Sequence, residues 1–450
     1  MKILNLSNSM AATALACACL NAQAQELRVL HHFTGTTNDG ATPYGSLIQS
    51  GSTLYGMTSA GGSANKGTAF RINTDGTGLE LLHSFVSASS DGIAPVGSLL
   101  LSDSTLYGMA TSAGSSKGGT VFRMETNGTG FQVLRLFTQT DGMWPYDSLL
   151  LSGSTLYGLN AYGGSASGWS GKGTIFRMDT NGSDFQVLRT FAGGASDGWG
   201  PHGSFFLSGT TLYATTPMGG SNNLGTVFKI NTDGTEFQIL HHFIGNPGGG
   251  ANPFAVTPVS SGPLLFGLTM AGGSNNCGTI FSINTNGAGF NLLHNFTGST
   301  NGQKPFGSLT LSGSTLYGVT SDEDTGTDGT IFSIKTDGTG FRVLHRFNGT
   351  DGRDPWGTLL LIDNSLYGMT SLGGSNNLGV IFALDLPRPT LAMSRNGTNV
   401  DLSWSTNCPD FTLESASQLG DIWTAVPGVT GYSTTLPIVA GTNQFFRLRN

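Results

Sequence analysis

Aromatic side chains recur at one position of the sequence where they could stack on a flat ligand. A loop that repeats along the chain carries Asp-Gly, then Pro and one variable residue, and five of the seven variable residues are aromatic. With two tryptophans just before neighbouring prolines, the predicted ligand-binding set is Tyr44, Tyr146, His202, Phe254, Phe306, Trp356, Trp144 and Trp199. Aromatic faces around a concave polar opening suit sugar rings. The alternative is that these rings plug the opening and pack on the adjacent prolines.

Acidic residues recur in the same loop, just before its glycine. They are Asp39, Asp91, Asp141, Asp197 and Asp351, with Asn301 in one copy. Such an aspartate accepts hydrogen bonds from nearby backbone N–H groups and holds a turn. The alternative is a carboxylate pair for glycoside cleavage, which needs two such groups roughly 5–9.5 Å apart. Because the residue repeats from copy to copy instead of standing out in one of them, the pattern favours the structural turn.

Histidine also occupies a repeated position, and metal binding is the chemistry to test there. The position holds His31, His83, His241, His294 and His345, with Arg135 and Arg189 in two copies. A metal site needs ligands that converge within about 2–2.5 Å of one ion. Residues on the outer strands of separate units are too far apart for that, so we interpret these side chains as polar stacking positions between units.

One loop departs from the repeat and is a candidate calcium site. The segment SDEDTGTDG at residues 321–329 replaces a neutral Gly-Gly-Ser-Asn-Asn loop. Asp322, Asp324 and Asp328 provide carboxylate oxygens at the alternating spacing that hard cations favour. The full EF-hand pattern is absent, and a solvated acidic loop is the alternative. No other cofactor is predicted.

The elements that position these residues come from a repeat of about 50 residues. A Leu-Tyr-Gly motif marks seven units, centred on Tyr55, Tyr107, Tyr157, Tyr213, Phe266, Tyr317 and Tyr367. Each unit contains four short apolar runs bounded by Gly, Ser, Asn and Asp, which are typical of strands. Units of this length are typical of propeller blades. The first and second strands, and the third and fourth, are joined by short hairpins, so both long loops emerge on one face of the ring.

The two ends of the repeat array predict a closed ring. The chain enters with a fourth-type strand at residues 27–33 and leaves with a third-type strand at residues 380–384. The N-terminal strand can therefore complete the last unit and leave no open sheet edge. The predicted fold class is all-β, a seven-bladed β-propeller closed by the N-terminal strand. An open solenoid is the alternative.

The repeated stretches GSTLYGMTSAGG, GTAFRINTDGTG and LLHSF, together with Asp-Gly followed by Pro, resemble the GloVer tandem repeat of secreted bacterial proteins. The resemblance covers residues 26–386. It implies an exported, surface-associated protein. The family brings no established activity and no catalytic residues.

The N-terminus has the features of a secretory signal peptide at residues 1–24. Lys2 precedes an apolar run that ends in the small-residue pattern Ala22-Gln23-Ala24. A lipoprotein signal with Cys17 or Cys19 is the alternative. The expected location is outside the cytoplasm, in the extracellular space, at the cell surface or in the periplasm. No segment is long and apolar enough for a membrane span.

The net charge limits the classes of possible partner, and the cysteine content limits disulfide bonding. The net charge is −7 and basic residues form no cluster, so nucleic acid is a poor candidate. Only Cys277 and Cys408 follow the predicted signal peptide, which argues against a disulfide framework. We expect a monomer.

The C-terminal segment departs from the repeat after residue 386. A proline-rich linker at residues 387–389 leads into alternating strands at residues 390–450. Their pattern suggests a small β-sandwich with Trp404 and Trp423 in its core. The segment resembles the fibronectin-type-III-like module of exported bacterial proteins, whose usual role is as a spacer or sorting element.

Three functional hypotheses follow. The first is a non-enzymatic binding or surface-interaction module whose ligand is a glycan or another surface polymer, or a protein at the envelope. The second is a polysaccharide-degrading propeller enzyme, a hydrolase or a lyase, and the third is a purely architectural envelope protein. If the rings at the predicted opening fill it, the architectural hypothesis gains, whereas an open aromatic mouth favours binding.

Overall fold

The computed structural model describes residues 4–6, 26–86, 91–113, 118–165, 170–246, 248–253, 259–298, 300–321, 328–387, 391–404, 412–418, 421–429, 431–438 and 444–449. The chain divides into two compact units. One is Leu27–Leu384, and the other combines residues 1–26 with residues 385–450. The described residues contain strands and turns but no α-helix. Accordingly, no helix among them is long and apolar enough to cross a membrane.

The larger unit contains, within its described residues, seven four-stranded antiparallel sheets. We number the sheets one to seven along the chain and the strands of each sheet first to fourth. Sheets one to three are Ile48–Ser50, Thr53–Thr58, Thr68–Asn73 and Glu80–Ser84; Leu100–Ser102, Thr105–Ala110, Thr120–Glu125 and Gln132–Leu136; and Leu150–Ser152, Thr155–Asn160, Thr174–Asp179 and Gln186–Thr190. Sheets four and five are His202–Ser208, Thr211–Thr216, Thr226–Asn231 and Gln238–His242; and Val259–Ser261, Leu264–Thr269, Thr279–Asn284 and Asn291–Asn295. Sheets six and seven are Pro305–Ser312, Thr315–Thr320, Thr330–Lys335 and Arg342–Arg346; and Leu360–Ile362, Ser365–Thr370, Val380–Asp385 and, as fourth strand, Leu27–His32.

The short turns within each sheet form as their residue types dictate. In sheet one, Asp75 Oδ1 accepts a hydrogen bond of 2.9 Å from the N–H of Thr77, an arrangement typical of Asx turns. The next residue, Gly76, has φ of 88°, which a residue with a side chain rarely adopts. Asn127, Asn181, Asp233, Asn286 and Asp337 make the same bond in sheets two to six. The predicted hairpin between third and fourth strands is therefore present in the six sheets whose third and fourth strands follow one another in the chain.

The N-terminal strand joins the last sheet, as the order of strand types predicts. Leu27–His32 pairs antiparallel with Val380–Asp385, with Val29 opposite Phe382. A second set of bonds links neighbouring first strands, where each backbone N–H meets a hydroxyl of the next sheet. The N–H of Ser46 donates to Ser98 Oγ at 2.7 Å, and the N–H of Thr358 donates back to Ser46 Oγ at 2.8 Å. Sheet seven is thereby bonded to sheet one, and the sheets close into a ring with their first strands at its centre.

A layer of phenylalanines from the third strands forms the core between sheets. Phe70, Phe122, Phe176, Phe228, Phe281, Phe332 and Phe382 are all fully buried. Each faces a residue of the second strand of its own sheet, which is glycine in six sheets because the ring leaves no room for a Cβ; at Gly108, for example, a Cβ would lie 2.5 Å from Phe122 Cζ. The prediction that this aromatic series is core is confirmed.

The smaller unit is built from two sheets. One contains Ala392–Asn396, Asn399–Ser403 and Ser433–Pro437, and the other contains Leu4–Leu6, Gln444–Arg449, Thr412–Ala416 and Thr424–Ala425. Trp404 lies in its buried cluster, as predicted, whereas Trp423 is half-buried beneath the guanidinium of Arg447, 4.4 Å from its ring centre. Leu4–Leu6 falls within the predicted signal peptide, so its pairing with Gln444–Arg449 belongs to the uncleaved chain.

Three two-stranded ribbons lie in the long loops that lead into the first strands. They pair Gly40–Ala41 with Ala60–Gly61, Gly198–Trp199 with Met218–Gly219, and Gly250–Ala251 with Ala271–Gly272. Each ribbon ties the loop between two sheets to the loop between second and third strands. The loops that carry the predicted ligand-binding residues are thus fixed by backbone bonds.

Candidate functional site: a cavity at the centre of the ring

The centre of the ring is open where the first strands begin. A cavity of about 410 Å³ lies there, and Tyr44, Tyr146, Asp147, His202 and Trp356 contribute the larger side chains of its wall. The remaining lining is Val96 with glycines, serines and a threonine of the same strands. The cavity volume falls in the roughly 300–1,000 Å³ range of small-molecule sites.

The loop before each first strand places the lining residues. The residue before its proline has a left-handed backbone, with φ of 51° at Thr42 and 57° at Trp144. Its N–H donates to a carbonyl of the preceding sheet, from Thr42 to Leu378 at 2.9 Å and from Trp144 to Gly118 at 3.1 Å. These loops are therefore held between two sheets, and in five of them the residue after the proline, namely Tyr44, Val96, Tyr146, His202 or Trp356, lines the cavity.

Glycine follows the lining residue in most sheets because the first strands approach one another closely. A Cβ at Gly45 would lie 2.2 Å from the carbonyl oxygen of Gly97, and a Cβ at Gly357 would lie 2.3 Å from that of Gly45. The exceptions are Ala255 in sheet five and Asp147 in sheet three, and Asp147 is the one charged residue at this position. Its side chain meets Gly203, whose φ of 94° turns its N–H towards the carboxylate.

Two aromatic walls face the cavity. On one side the rings of Tyr44 and Trp356 meet edge to face with centroids 5.2 Å apart. Phe306 lies behind Trp356, with centroids 4.0 Å apart, and is only 4% exposed. Phe306 therefore supports Trp356 and does not line the cavity itself. Tyr146 and His202 form the second wall, with stacked rings 4.9 Å apart.

Asp147 and His202 form a buried polar pair within the second wall. Asp147 Oδ2 accepts a bond of 2.6 Å from the N–H of Gly203 and lies 3.8 Å from His202 Nδ1. Burial raises the pKa of Asp147 to about 7, against the lowering effect of the Gly203 hydrogen bond. Burial lowers the pKa of His202 to about 3. Both groups are thus driven towards their uncharged forms near neutral pH.

Two other predicted ligand-binding residues, Trp144 and Trp199, do not line the cavity. Trp144 meets Tyr146 and Tyr162 edge to face, each with centroids 5.6 Å apart, so sheet three carries an aromatic track that leads to the cavity. Trp199 lies under Lys172, whose Nζ is 3.6 Å from its ring centre. Phe254 lies outside the described residues.

The left-handed backbone of Trp144 is a feature of the repeated loop. The equivalent residue has a positive φ in every copy, for example 53° at Ala94 and 55° at Asp354, and it is glycine only at Gly200. The backbone therefore does not distinguish Trp144 from its equivalents.

The repeated aspartates are used within the loops. Asp39 accepts bonds from His31 Nε2 at 3.0 Å, from the N–H of Thr34 at 2.9 Å and from the N–H of Gly40 at 2.7 Å. Hydrogen bonds within the loops or from the repeated arginine are likewise accepted by Asp91, Asp141, Asp197 and Asp351. These contacts confirm the turn-holding interpretation and leave the carboxylate-pair hypothesis for these residues without support.

Five of the seven repeated histidines and arginines stack on an aromatic ring of the next sheet, as predicted. His83 lies 3.7 Å from the Phe131 ring with the planes 3° apart, and its Nε2 meets Asp91 at 2.9 Å. Arg135 replaces it in sheet two and lies 3.9 Å above the Phe185 ring. The other stacked residues are Arg189, His241 and His294. His31 and His345 meet the aspartate of the following loop but have no stacked ring among the described residues.

His241 lacks the contact with an aspartate of the following loop, and it allows a test of this contact. Its loop has Gly249 where the first copy has Asp39, and its buried Nε2 has no hydrogen-bond partner among the described residues. Burial, with a smaller contribution from His242, lowers its pKa to about 4. Gly249→Asp combined with Ile244→Thr should supply the missing acceptor and stabilise the fold by about 1 kcal/mol. Ile244 is changed because its Cγ1 would lie 2.6 Å from the new Cβ.

The pKa of His241 determines how the stability gained by this double variant depends on pH. Since the folded value lies below the ordinary 6.5, the native chain loses stability as the pH falls from about 6.5 towards 4. An acceptor at residue 249 removes that loss, so the gain should be larger at pH 5 than at pH 8. Thermal unfolding at both values, with Ile244→Thr alone as the control, measures it. An equal gain at both pH values would show that the new carboxylate does not pair with His241.

The predicted calcium ligands are only partly described. Asp322 and Asp324 lie outside the described residues, and Asp328 lies at the end of the same loop. Among the described residues, no group of three His, Cys, Asp or Glu side chains could hold a metal ion. Calcium binding by this loop stays a prediction.

Sequence reasoning missed Asp147, although a signal for it was present. At this position the other copies have Gly45, Gly97, Gly203, Ala255, Gly307 and Gly357. A charged residue in place of a small one is the kind of departure from symmetry that marks a functional position in a repeat.

The fold and the cavity define an all-β repeat protein built from small antiparallel sheets with a ligand-sized site at its centre. The chain belongs to the family described as the Gloeobacter/Verrucomicrobia repeat, whose model matches residues 19–196, 165–382 and 311–407. This is the family that the repeated stretches resemble. No curated protein sequence matches the chain.

Solved structures with propeller-like folds are similar to the chain at low sequence identity. An oligogalacturonate lyase in complex with manganese has a TM-score of 0.52 and 13% identity, covering 81% of this chain and 97% of that one. A putative 6-phosphogluconolactonase from Bacteroides uniformis has a TM-score of 0.48 and 14% identity, covering 89% and 99%. The likeness to the lyase shows the fold alone.

Proposed function

We propose that this chain is an exported, non-enzymatic binding module that holds a glycan or another surface polymer in the central cavity. The proposal assigns a signal peptide to residues 1–24, a seven-bladed β-propeller to 26–386, a linker to 387–389 and a fibronectin-type-III-like β-sandwich to 390–450. Its site of action is outside the cytoplasm, in the extracellular space, at the cell surface or in the periplasm.

The observation that supports binding is the open cavity. If the lining side chains plugged the ring, an architectural role would be favoured. Instead about 410 Å³ remains between the two aromatic walls. Tyr44 and Trp356 come from sheets one and seven, and Tyr146 and His202 from sheets three and four, so the two walls stand across the ring from each other.

The aromatic track on sheet three fits a ligand longer than one ring. Tyr146 lines the cavity, Trp144 follows it, and Tyr162 follows Trp144 at the same centroid separation of 5.6 Å. Aromatic rings at successive positions along one sheet offer contacts to successive rings of an oligosaccharide.

The polysaccharide-degrading enzyme is the second candidate, and Asp147 with its raised pKa is the observation in its favour. Cleavage by paired carboxylates requires a second carboxyl group roughly 5–9.5 Å away. In the part of the cavity lining that the structure describes, Asp147 is the sole carboxylate. The lining therefore favours binding over hydrolysis.

A binding experiment tests the proposal. The purified chain should be retained by a glycan array, and Trp356→Ala should weaken the best interaction at least tenfold because it removes a stacking face. Tyr146→Ala, on the opposite wall, should do the same. Trp423→Ala, which changes a half-buried tryptophan of the smaller unit, is the matched control and should leave affinity unchanged.

Thermal unfolding separates lost binding from lost fold, because Trp356 also packs on Phe306. Retained affinity in both wall variants would overturn the cavity as the site. Retention of no glycan by the native chain would overturn the glycan proposal and favour the architectural role. Repeating the array with a chelator tests the loop at residues 321–329, since calcium-dependent binding should then disappear.

A further inference from the structure

The charge of the central cavity limits what it can hold. Among the described residues that line it, Asp147 is the one carboxylate, and none is a lysine or an arginine. His202, the other titratable neighbour besides Tyr146, has only 6% of its side chain exposed. An anionic group in this cavity would lie next to a carboxylate with no basic residue of the lining to offset it.

We infer that the cavity binds a sugar with a free amino group, whose ammonium contacts Asp147 while the sugar ring lies against the aromatic walls. This inference rests on the proposed function and specifies the class of its ligand. It is carried by the single carboxylate, by the aromatic rings around it and by the position that the carboxylate occupies in the repeat.

The geometry leaves Asp147 able to accept a ligand's hydrogen bonds. Oδ2 receives the N–H of Gly203 at 2.6 Å, while Oδ1 has no hydrogen bond within the part of the chain that the structure describes. The side chain is 15% exposed, and that exposure is to the cavity it lines. One oxygen is thus held by the backbone, and the other is available to a bound molecule.

The surroundings of Asp147 make a cation the matching ligand. A buried carboxylate without a positive partner is unfavourable. His202 does not supply the partner, because burial lowers its pKa to about 3 and keeps it neutral. Burial raises the pKa of Asp147 to about 7, so the carboxyl of the empty cavity is only partly ionised near neutral pH. An ammonium at Oδ1 would favour the ionised carboxylate and compensate its charge. Tyr146, the neighbour of Asp147 in the same wall, adds to the attraction, because aromatic faces attract cations.

The repeat provides an independent argument. Five other copies have glycine at the position of Asp147, and one has alanine. A small residue there is compatible with the ring, since Gly45, Gly97 and Gly357 occupy it in neighbouring sheets. The carboxylate is therefore not needed to close the ring, and a ligand accounts for its presence.

The test compares three trisaccharides that differ in charge at pH 7. Calorimetric titrations use the trimers of glucosamine, of N-acetylglucosamine and of galacturonic acid. We expect the glucosamine trimer to bind at least tenfold more tightly than the N-acetyl trimer and the galacturonate trimer to bind more weakly than both. Asp147→Asn keeps the shape and removes the charge, so it should abolish the preference for the amine.

Asp147→Gly is the second variant, because it restores the residue of the other copies. It should fold, retain weak binding of the N-acetyl trimer and lose the amine preference. Equal affinity for the amine and N-acetyl trimers in the native chain, or a preference that survives in Asp147→Asn, overturns this inference while the glycan proposal stands. If none of the three trimers binds and no array glycan depends on Trp356, the proposed function fails as well.

Discussion

Phe122→Ala should lower the free energy of unfolding of the larger unit by about 3–5 kcal/mol, the usual cost of removing a fully buried phenyl ring. Phe122 is fully buried in the cluster that joins sheets one and two. Its ring meets Phe85 of sheet one and Phe131 of its own sheet, each with centroids 5.3 Å apart. The substitution leaves a cavity between two sheets whose relative position is fixed by the closed ring, so the surroundings can relax only partly.

Denaturant unfolding measures this effect as a shift in the denaturant concentration at which half of the protein is unfolded. Leu136→Ala is the matched control, since Leu136 lies on the fourth strand of the same sheet and is 41% exposed. Its cost should stay within about 0.5 kcal/mol, as for most surface substitutions. Similar midpoints for the two variants would contradict the assignment of the phenylalanine layer as the principal core.

The repeat determines most of the fold because it specifies local chemistry many times over. Asp75 and Gly76 dictate a turn, Phe70 dictates the buried face of the third strand, and the strand types at the two chain ends dictate how the ring closes. Each of these follows from the residue and its immediate neighbours in sequence. Agreement between copies removes the ambiguity that one short strand would leave.

The site is less predictable because it depends on contacts between copies. The sequence places Phe306 and Trp356 at equivalent positions, yet one ring packs behind the other and is buried. Which of the two faces the cavity depends on how neighbouring loops pack. The sequence likewise shows that Asp147 departs from the repeat, but its burial and its contacts with Gly203 and His202 depend on the adjacent sheet.

Asp147→Asn and His202→Gln should change the pH dependence of stability in opposite directions. The folded pKa of Asp147 lies near 7, above the ordinary 3.8, so the unfolded chain gives up this proton first and the native chain loses stability as the pH rises from about 4 to 7. The folded pKa of His202 lies near 3, below the ordinary 6.5, so the native chain gains stability as the pH rises from about 3 to 6.5. In the native chain the two effects oppose each other between about pH 4 and 6.5.

The single variants separate these two effects. Relative to the native chain, Asp147→Asn should become more stable by as much as ~4 kcal/mol between pH 4 and pH 8, because a shift of about three pKa units corresponds to that free energy. His202→Gln should have a higher free energy of unfolding than the native chain at the acidic end of this range, near pH 4. Denaturant unfolding from pH 4 to 8 measures both slopes. If the two residues instead form a charged pair across their 3.8 Å separation, each substitution will destabilise the fold at neutral pH, and the uncharged pair derived from their burial is wrong.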